Sequence, residues 1–457
     1  MKCLYYFLLA PFLSHAQVNN DVNFIHSIAV EVLGSDAADR HLTELTKNIG
    51  HRLSGSPQMY AAEKWGARVF TEVGAESVVW QECSVPHWVR GGEEKGIIFF
   101  KKDGISQSRS LRLISMGNAV GTGTEGVAGE VISVHNFAEL DQLSEAVKGR
   151  IVFFDVPFED TLIETGLAYG SNVKYRVGAA SAAARYGARA VMVRSMTHYG
   201  DNVPHTGTLR YDEQNIQIPS FALGMEDVSF FQHLLNSGQT PVVTLFSYCQ
   251  MLPDTIAHNI IGIISGSQFP EKVITIGGHL DSWDVGEGAH DDGAGIVHTL
   301  EVLRVFKKLG YRPKSTLHFV MFANEENGTR GGQAYAQMLK DSSLYPVFAL
   351  ESDAGGFTPR GFGITASDTV LSKISEWKDL FTPYFGERFS KGGGGADIGF
   401  LHNQFGTPVA GLDTDGQRYF DLHHTSKDVL ETVNFRELKL GAINMAALIY
   451  LVDKYGL

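Results

Sequence analysis

Five residues of metal-binding type stand in a fixed order in the C-terminal half of the chain: His279, Asp291, Glu326, Asp353 and His424. Each lies at or near the end of an apolar run that reads as a strand, or in a loop just beyond one. His279 closes Val273-Ile274-Thr275-Ile276-Gly277-Gly278, and Asp353 follows Phe348-Ala349-Leu350-Glu351-Ser352. Glu326 follows the apolar run 317–323 and its tail Asn324-Glu325. Two imidazoles and three carboxylates are the donor inventory of two zinc ions that share one carboxylate. The chemistry such a pair supplies is hydrolysis by an activated water.

The neighbours of these residues refine that reading. His279-Leu280-Asp281 puts two polar side chains on one side of an extended segment, so one can bind metal while the other accepts the imidazole N–H and fixes its tautomer. Asp291-Asp292 sits between Gly288 and Gly293-Ala294-Gly295, just ahead of a helix. A carboxylate there can bridge two cations roughly 3.5–4 Å apart, and an acidic pair there also suits a helix cap. Glu325-Glu326, at the end of an apolar strand, is costly unless paired or metal-bound. One carboxylate as ligand and the other as proton acceptor resolves that cost. His423 and His424 serve equally by composition, and His290 is expected to pack or to hold its loop.

The elements that must position these groups follow from periodicity and punctuation. Residues 36–50 and 57–74 read as helices, the second with Ser56 as N-cap, Pro57 in the first turn and Gly74 as its stop. Short strands are expected at 77–80 and 96–100. From 117 to 250 the chain carries its own strands (127–134, 150–156, 188–194, 242–246) and helices (177–186, 225–236), and none of the five candidates. After Pro253, strands alternate with helices through to a final helix over 434–454, which predicts a mostly parallel sheet covered on both faces. The expected class is therefore α/β, a mostly parallel mixed sheet with helices on both faces plus a smaller inserted α/β domain. The expected boundaries are 17–116 and 251–457 for the discontinuous catalytic domain and 117–250 for the insertion. The glycines at 392–395 lack the Gly-Lys-Ser/Thr ending of a phosphate loop and read as backbone beside a substrate cleft.

Composition bounds the function. A 457-residue chain with 44% hydrophobic and 19% charged residues is an ordinary globular protein of about two domains. Its formal net charge of −13 argues against nucleic acid or an anionic membrane surface as a partner. Met1-Lys2, an apolar stretch over 3–13 and then Ser14-His15-Ala16 read as a secretory signal peptide, 1–16, because the apolar run is too short to span a membrane. The expected location is thus secreted or periplasmic, without membrane insertion. Cys3 leaves with the signal, and Cys83 with Cys249 leaves one disulfide open, which spacing cannot establish. The sequon Asn327-Gly328-Thr329 abuts Glu326, so no glycan is expected there.

Taken together, His279-x-Asp281, Asp291-Asp292, Glu325-Glu326, Asp353 and His424-Thr425 resemble the motif series of the M28 family of dinuclear zinc exopeptidases. Segments such as Arg52-Leu53-Ser54-Gly55-Ser56, Pro86-His87-Trp88 and Pro204-His205-Thr206-Gly207 extend the likeness over essentially the whole mature chain, nearest to secreted dipeptidases of that family with an inserted protease-associated domain. The resemblance implies two zinc ions per chain, with Asp291 bridging both, His279 and Asp353 completing one shell and Glu326 and His424 the other. It further implies Glu325 as general base, Asp281 as the partner that orients His279, and a cis peptide between Asp291 and Asp292. Small peptides are the implied substrates, and a homodimer is compatible with this reading. Competing readings are a general aminopeptidase on longer peptides, a single-zinc glutaminyl cyclase of the same fold, and a non-catalytic receptor-like relative. The last two fit less well, since an inserted domain is present and every ligand is retained.

Overall fold

The computed structural model describes residues 12–457. The expected signal peptide, 1–16, falls for its greater part outside the described residues, as does Cys3. The chain builds two eight-stranded sheets. Strand β1 (Ser77–Val89) belongs to the first. The next eight, β2 (Lys95–Lys102), β3 (Ile105–Leu111), β4 (Leu113–Ser115), β5 (Val127–Val134), β6 (Ile151–Phe154), β7 (Ala190–Arg194), β8 (Ser220–Leu223) and β9 (Val242–Phe246), form the second in the order β3-β2-β9-β5-β6-β7-β8-β4. The chain then returns through β10 (Gln250–Ile264), β11 (Phe269–His279), β12 (Ser315–Phe322), β13 (Tyr345–Glu351), β14 (Pro359–Thr365), β15 (Arg388–Lys391) and β16 (Val409–Thr414). With β1 these make the first sheet, ordered β1-β10-β12-β11-β13-β16-β14-β15.

Its centre, β12-β11-β13-β16, is parallel, while β1, β10 and β14 add antiparallel pairs. Strands buried on both faces read as continuous apolar runs, and β12 (Ser-Thr-Leu-His-Phe-Val-Met-Phe) is buried at every position. Alternate residues part to opposite sides: Leu317, Phe319 and Met321 pack with the helices Ala294–Lys308 and Phe435–Tyr455, whereas Val320 and Phe322 pack with Arg330–Asp341 and Gly399–Phe405. Helices thus cover both faces, as the alternating pattern predicts.

The second sheet has its own two-sided core, with Val152, Phe154, Val191 and Val193 on one face and Ile151, Phe153, Ala190 and Met192 on the other. A core of its own is what an insertion needs to fold as a unit. Strands β2, β3 and β4, which precede residue 117, also belong to this sheet. Of these, β3, Ile-Ser-Gln-Ser-Arg-Ser-Leu, is a mostly exposed strand with no apolar alternation to announce it. The C-terminal limit at 250 coincides with the start of β10.

Cys83 and Cys249 are buried and free, packed in separate apolar clusters. Burial pushes the Cys83 thiol up to about 12 and the Cys249 thiol up to about 11. A thiol reagent should therefore label neither in the folded protein and both in denaturant. Rapid labelling of the native chain would contradict this placement.

Candidate metal centre

Three of the five candidates leave the carboxyl ends of adjacent parallel strands. His279 is the last residue of β11, Glu326 lies just past β12, and Asp353 just past β13. This is where open α/β sheets place their sites. Asp291 reaches the same point from the loop ahead of the helix Ala294–Lys308, and His424 from the turn after Tyr419–Leu422.

That loop is held by two buried charges. The Asp428 carboxylate accepts the backbone N–H groups of Ala289, His290 and Asp291 at 3.1, 2.7 and 3.1 Å. Burial, with Asp291 nearby, pushes the Asp428 carboxyl up to about 7. Arg52, fully buried, donates to the carbonyls of Leu280, Glu287 and Gly288 at 2.6, 2.7 and 3.0 Å. The Asp291–Asp292 peptide is cis, as the family resemblance implies. Asp292 accepts from His279 N at 3.0 Å and Gly295 N at 2.9 Å, so it serves as helix cap and strand tie. His290 accepts from Gly356 N at 3.1 Å and stacks on Phe357 at 4.4 Å, the packing role expected of it.

The donors converge around Asp291. Its Oδ1 lies 3.1 Å from His279 Nε2, and its Oδ2 lies 3.2 Å from His424 Nε2. Asp353 Oδ1 stands 3.4 Å from His279 Nε2, and Glu326 Oε2 stands 3.2 Å from His424 Nε2. Each imidazole is turned by its other nitrogen: His279 Nδ1 donates to the Asp281 carbonyl at 3.1 Å, His424 Nδ1 to the Thr206 carbonyl at 3.3 Å. Both Nε2 lone pairs are thereby left facing the carboxylates.

These residues fit a metal. Donors about 2.0–2.1 Å from one tetrahedral ion stand roughly 3.3–3.4 Å apart, which is the spacing seen here. Asp291 Oδ2 is moreover buried without a hydrogen-bond partner despite its closeness to His424, so the two atoms face a common point rather than each other. His423, stacked on His424 at 3.5 Å between ring centres, keeps Nε2 at 3.6 Å from Asp291 Oδ2. It too is placed with Asp291 and His424 where the three could hold an ion, and Tyr169 abuts its ring at 5.2 Å.

Glu325 and Asp281 complete the cluster, with one difference from expectation. The Asp281 carboxylate is 3.7 Å from His279 Nδ1, farther than its own carbonyl, and instead accepts Glu325 N at 3.0 Å and Glu326 N at 3.3 Å. It positions the two glutamates more directly than it positions the histidine. Trp283 N donates to Glu326 Oε1 at 3.1 Å, which leaves Oε2 for the centre. Burial pushes the Glu325 carboxyl well above its ordinary range, against the pull of His279.

Glu325, Asp291 and Asp353 line a cavity of about 950 Å³ whose far wall comes from the second unit, through Tyr169, Arg176 and Arg210. A second cavity, about 770 Å³, touches Asp353 from the other side and includes Arg388, Lys391, Gly392 and Gly393. The glycine run is exposed at Gly392 and Gly393 and tightly packed only at its end. Gly392 N donates to Ile364 O at 2.8 Å, and a Cβ on Gly395 would stand 2.0 Å from Glu351 Cδ. Asn327, of the sequon, is buried and donates to Asn118 Oδ1 at 3.2 Å, which leaves no room for a glycan. Arg52, Asp428 and Arg176 were not singled out as site residues from sequence. Only Arg52, within Arg52-Leu53-Ser54-Gly55-Ser56, and Asp428, close after His424, carried a signal that could have found them.

Residues 259–449 match the model of Peptidase family M28, a span holding all five ligand candidates. Carboxypeptidase Q of Bos taurus is 33% identical over 411 residues, covering 90% of this chain and 84% of that one. Carboxypeptidase Q of Homo sapiens is 32% identical, with coverage of 94% and 88%. Among solved structures, an M28 peptidase precursor of Shewanella amazonensis superposes with a TM-score of 0.89 at 27% identity, over 96% of this chain and 98% of its own. BSAP, a zinc aminopeptidase of Bacillus subtilis, shares the fold at a TM-score of 0.66 and 19% identity, over 91% and 95%. With the donor cluster at the strand ends and relatives matched along nine-tenths of its length, the chain belongs to peptidase family M28 and is a metallopeptidase.

Proposed function

We propose that the protein is a dinuclear zinc exopeptidase, secreted or periplasmic, that hydrolyses dipeptides or short peptides with free termini. One observation carries the reading: a single carboxylate, Asp291, presents one oxygen to each of two imidazoles, and each imidazole has a further carboxylate of its own. That is the ligand set of two ions sharing a bridge, His279 with Asp353 and Glu326 with His424. Carboxypeptidase Q relatives and the fold shared with a zinc aminopeptidase support a zinc exopeptidase.

Bound zinc supplies Lewis acidity and an acidified water. Glu325, facing the cavity beside the ligands, takes the proton of the attacking water and returns it to the departing amine. Asp281 holds the backbone of Glu325 and Glu326, so base and ligand stay in register. Residues of the inserted unit, read as a protease-associated domain, wall the cavity and restrict the length of chain that enters. A homodimer is consistent with this reading.

The test is a panel of free dipeptides, N-acetylated and C-amidated dipeptides, and tripeptides, with metal measured on the same preparation. The expected result is about two zinc ions per chain and severe loss of turnover on blocking either terminus. Harmless amidation with efficient trimming of longer peptides from the N-terminus would identify a general aminopeptidase instead.

A further inference from the structure

Arg176 is a cation without an anion. It lies on the helix Thr165–Ala184 of the second unit, is 6% exposed, and lines the cavity shared by Asp291, Glu325 and Asp353. Among the described residues no carboxylate pairs with it, and its Nε is buried with no partner. Its polar neighbours are both uncharged groups of the cavity wall, His424 Nδ1 at 3.4 Å from Nη1 and the Tyr169 hydroxyl. The histidine is not an acceptor for it: the tautomer that frees His424 Nε2 puts the proton on Nδ1, facing the Thr206 carbonyl. Below the guanidinium the Tyr169 ring supplies a face, with Cζ 5.5 Å from its centre.

The backbone makes room for this placement. Gly207, at φ +135, would with a Cβ stand 2.5 Å from Arg176 Nη1 and 2.7 Å from His424 Nδ1. A buried, unpaired guanidinium is expensive unless a ligand brings the missing charge. Its planar fork matches a carboxylate through two parallel hydrogen bonds. The glycine run is a weaker candidate for that task, since the Gly392 N–H is already used within the chain.

We propose that Arg176 is a specificity determinant, contributed by the inserted unit, that binds a carboxylate of the substrate, the α-carboxylate of a short peptide. The proposal rests on the exopeptidase reading above and adds the group that recognises the free C-terminus. It also gives the second unit a direct part in substrate choice, beyond narrowing the entrance.

The test compares kcat/KM for a dialanine-type dipeptide as free acid and as C-terminal amide, in the wild type, Arg176→Gln and Arg176→Lys, with metal content measured on each. An amidated alanyl-glutamate reports whether a side-chain carboxylate can substitute. The expected wild-type preference for the free acid is on the order of 10–10²-fold, the worth of a charge-assisted pair. It should collapse in Arg176→Gln, partly survive in Arg176→Lys, and leave the metal in place. A wild-type preference that persists in Arg176→Gln overturns the role of Arg176 while leaving the exopeptidase reading intact. Equal loss on acid and amide overturns it too, pointing to support of His424. Absence of any preference in the wild type overturns both readings. If Arg176→Gln does not fold, inhibition of the wild type by alanine against alaninamide decides the matter: the free acid should inhibit more strongly, and equal inhibition overturns the carboxylate site.

Discussion

Asp291→Ala is expected to strip the protein of both metal ions and reduce peptide hydrolysis to background. The other four ligand candidates divide into two pairs, each with one imidazole and one carboxylate. Two protein donors hold a zinc ion poorly, and only the shared carboxylate brings each set to three, the number common in catalytic zinc sites. Removing it also takes away the negative charge that separates two cations roughly 3.5–4 Å apart. Elemental analysis should therefore show loss at both positions, not a halving. The fold should persist, because the loop is held through backbone N–H groups on Asp428 and carbonyls on Arg52, neither of which uses the Asp291 side chain. A folded variant that keeps one fully occupied ion and measurable turnover would sink the shared-bridge reading.

The same geometry shows what the amino-acid sequence can and cannot display. His279, Glu326 and Asp353 were legible because each follows a strand buried on both faces, and such strands are continuous apolar runs that end abruptly in a polar group. The helix 57–73 was legible from Ser56, Pro57 and Gly74, which act there as N-cap, first-turn residue and left-handed C-cap. Strands β14 and β16 were missed for the opposite reason. They carry glycines that intrinsic propensity counts against a strand, yet a Cβ on Gly361 would lie 1.7 Å from Arg388 O and one on Gly411 2.2 Å from Gly394 O. Close approach of distant backbones demands glycine, and no local pattern records it.

Partners far apart in the chain were hidden in the same way. Arg52 and Asp428 clamp one loop from distant parts of the chain, and although each sits in or beside a recognisable segment, neither segment says which loop it grips. Arg176 lay in a helix read as starting only at 177, whereas the helix runs from Thr165. Its meaning comes from His424 and Gly207, distant in the chain and in contact with it at the cavity wall. Composition left His423 and His424 equivalent and only the family resemblance favoured His424; in the structure His424 has both an orienting carbonyl on Nδ1 and a carboxylate on either side of Nε2.

Adjacent glutamates with opposite duties give the other large effect. Glu325→Gln is expected to keep its metal and lose turnover by on the order of 10²–10⁴-fold, the range for removal of a general base. The amide has the volume of the acid but does not accept the water proton, and Glu325 N remains bonded to Asp281 Oδ1, so the backbone stays in place. Glu326→Gln should instead weaken metal binding, because Glu326 Oε2 stands beside His424 Nε2 and its other oxygen is engaged by Trp283 N. Raising zinc in the assay should then restore part of the activity of Glu326→Gln and none of that of Glu325→Gln. That contrast is hard to reproduce by general destabilisation, which would depress both variants alike. If zinc rescues Glu325→Gln and metal content is normal in Glu326→Gln, the two glutamates have been given each other's roles, and the proton acceptor is the residue bonded to Trp283.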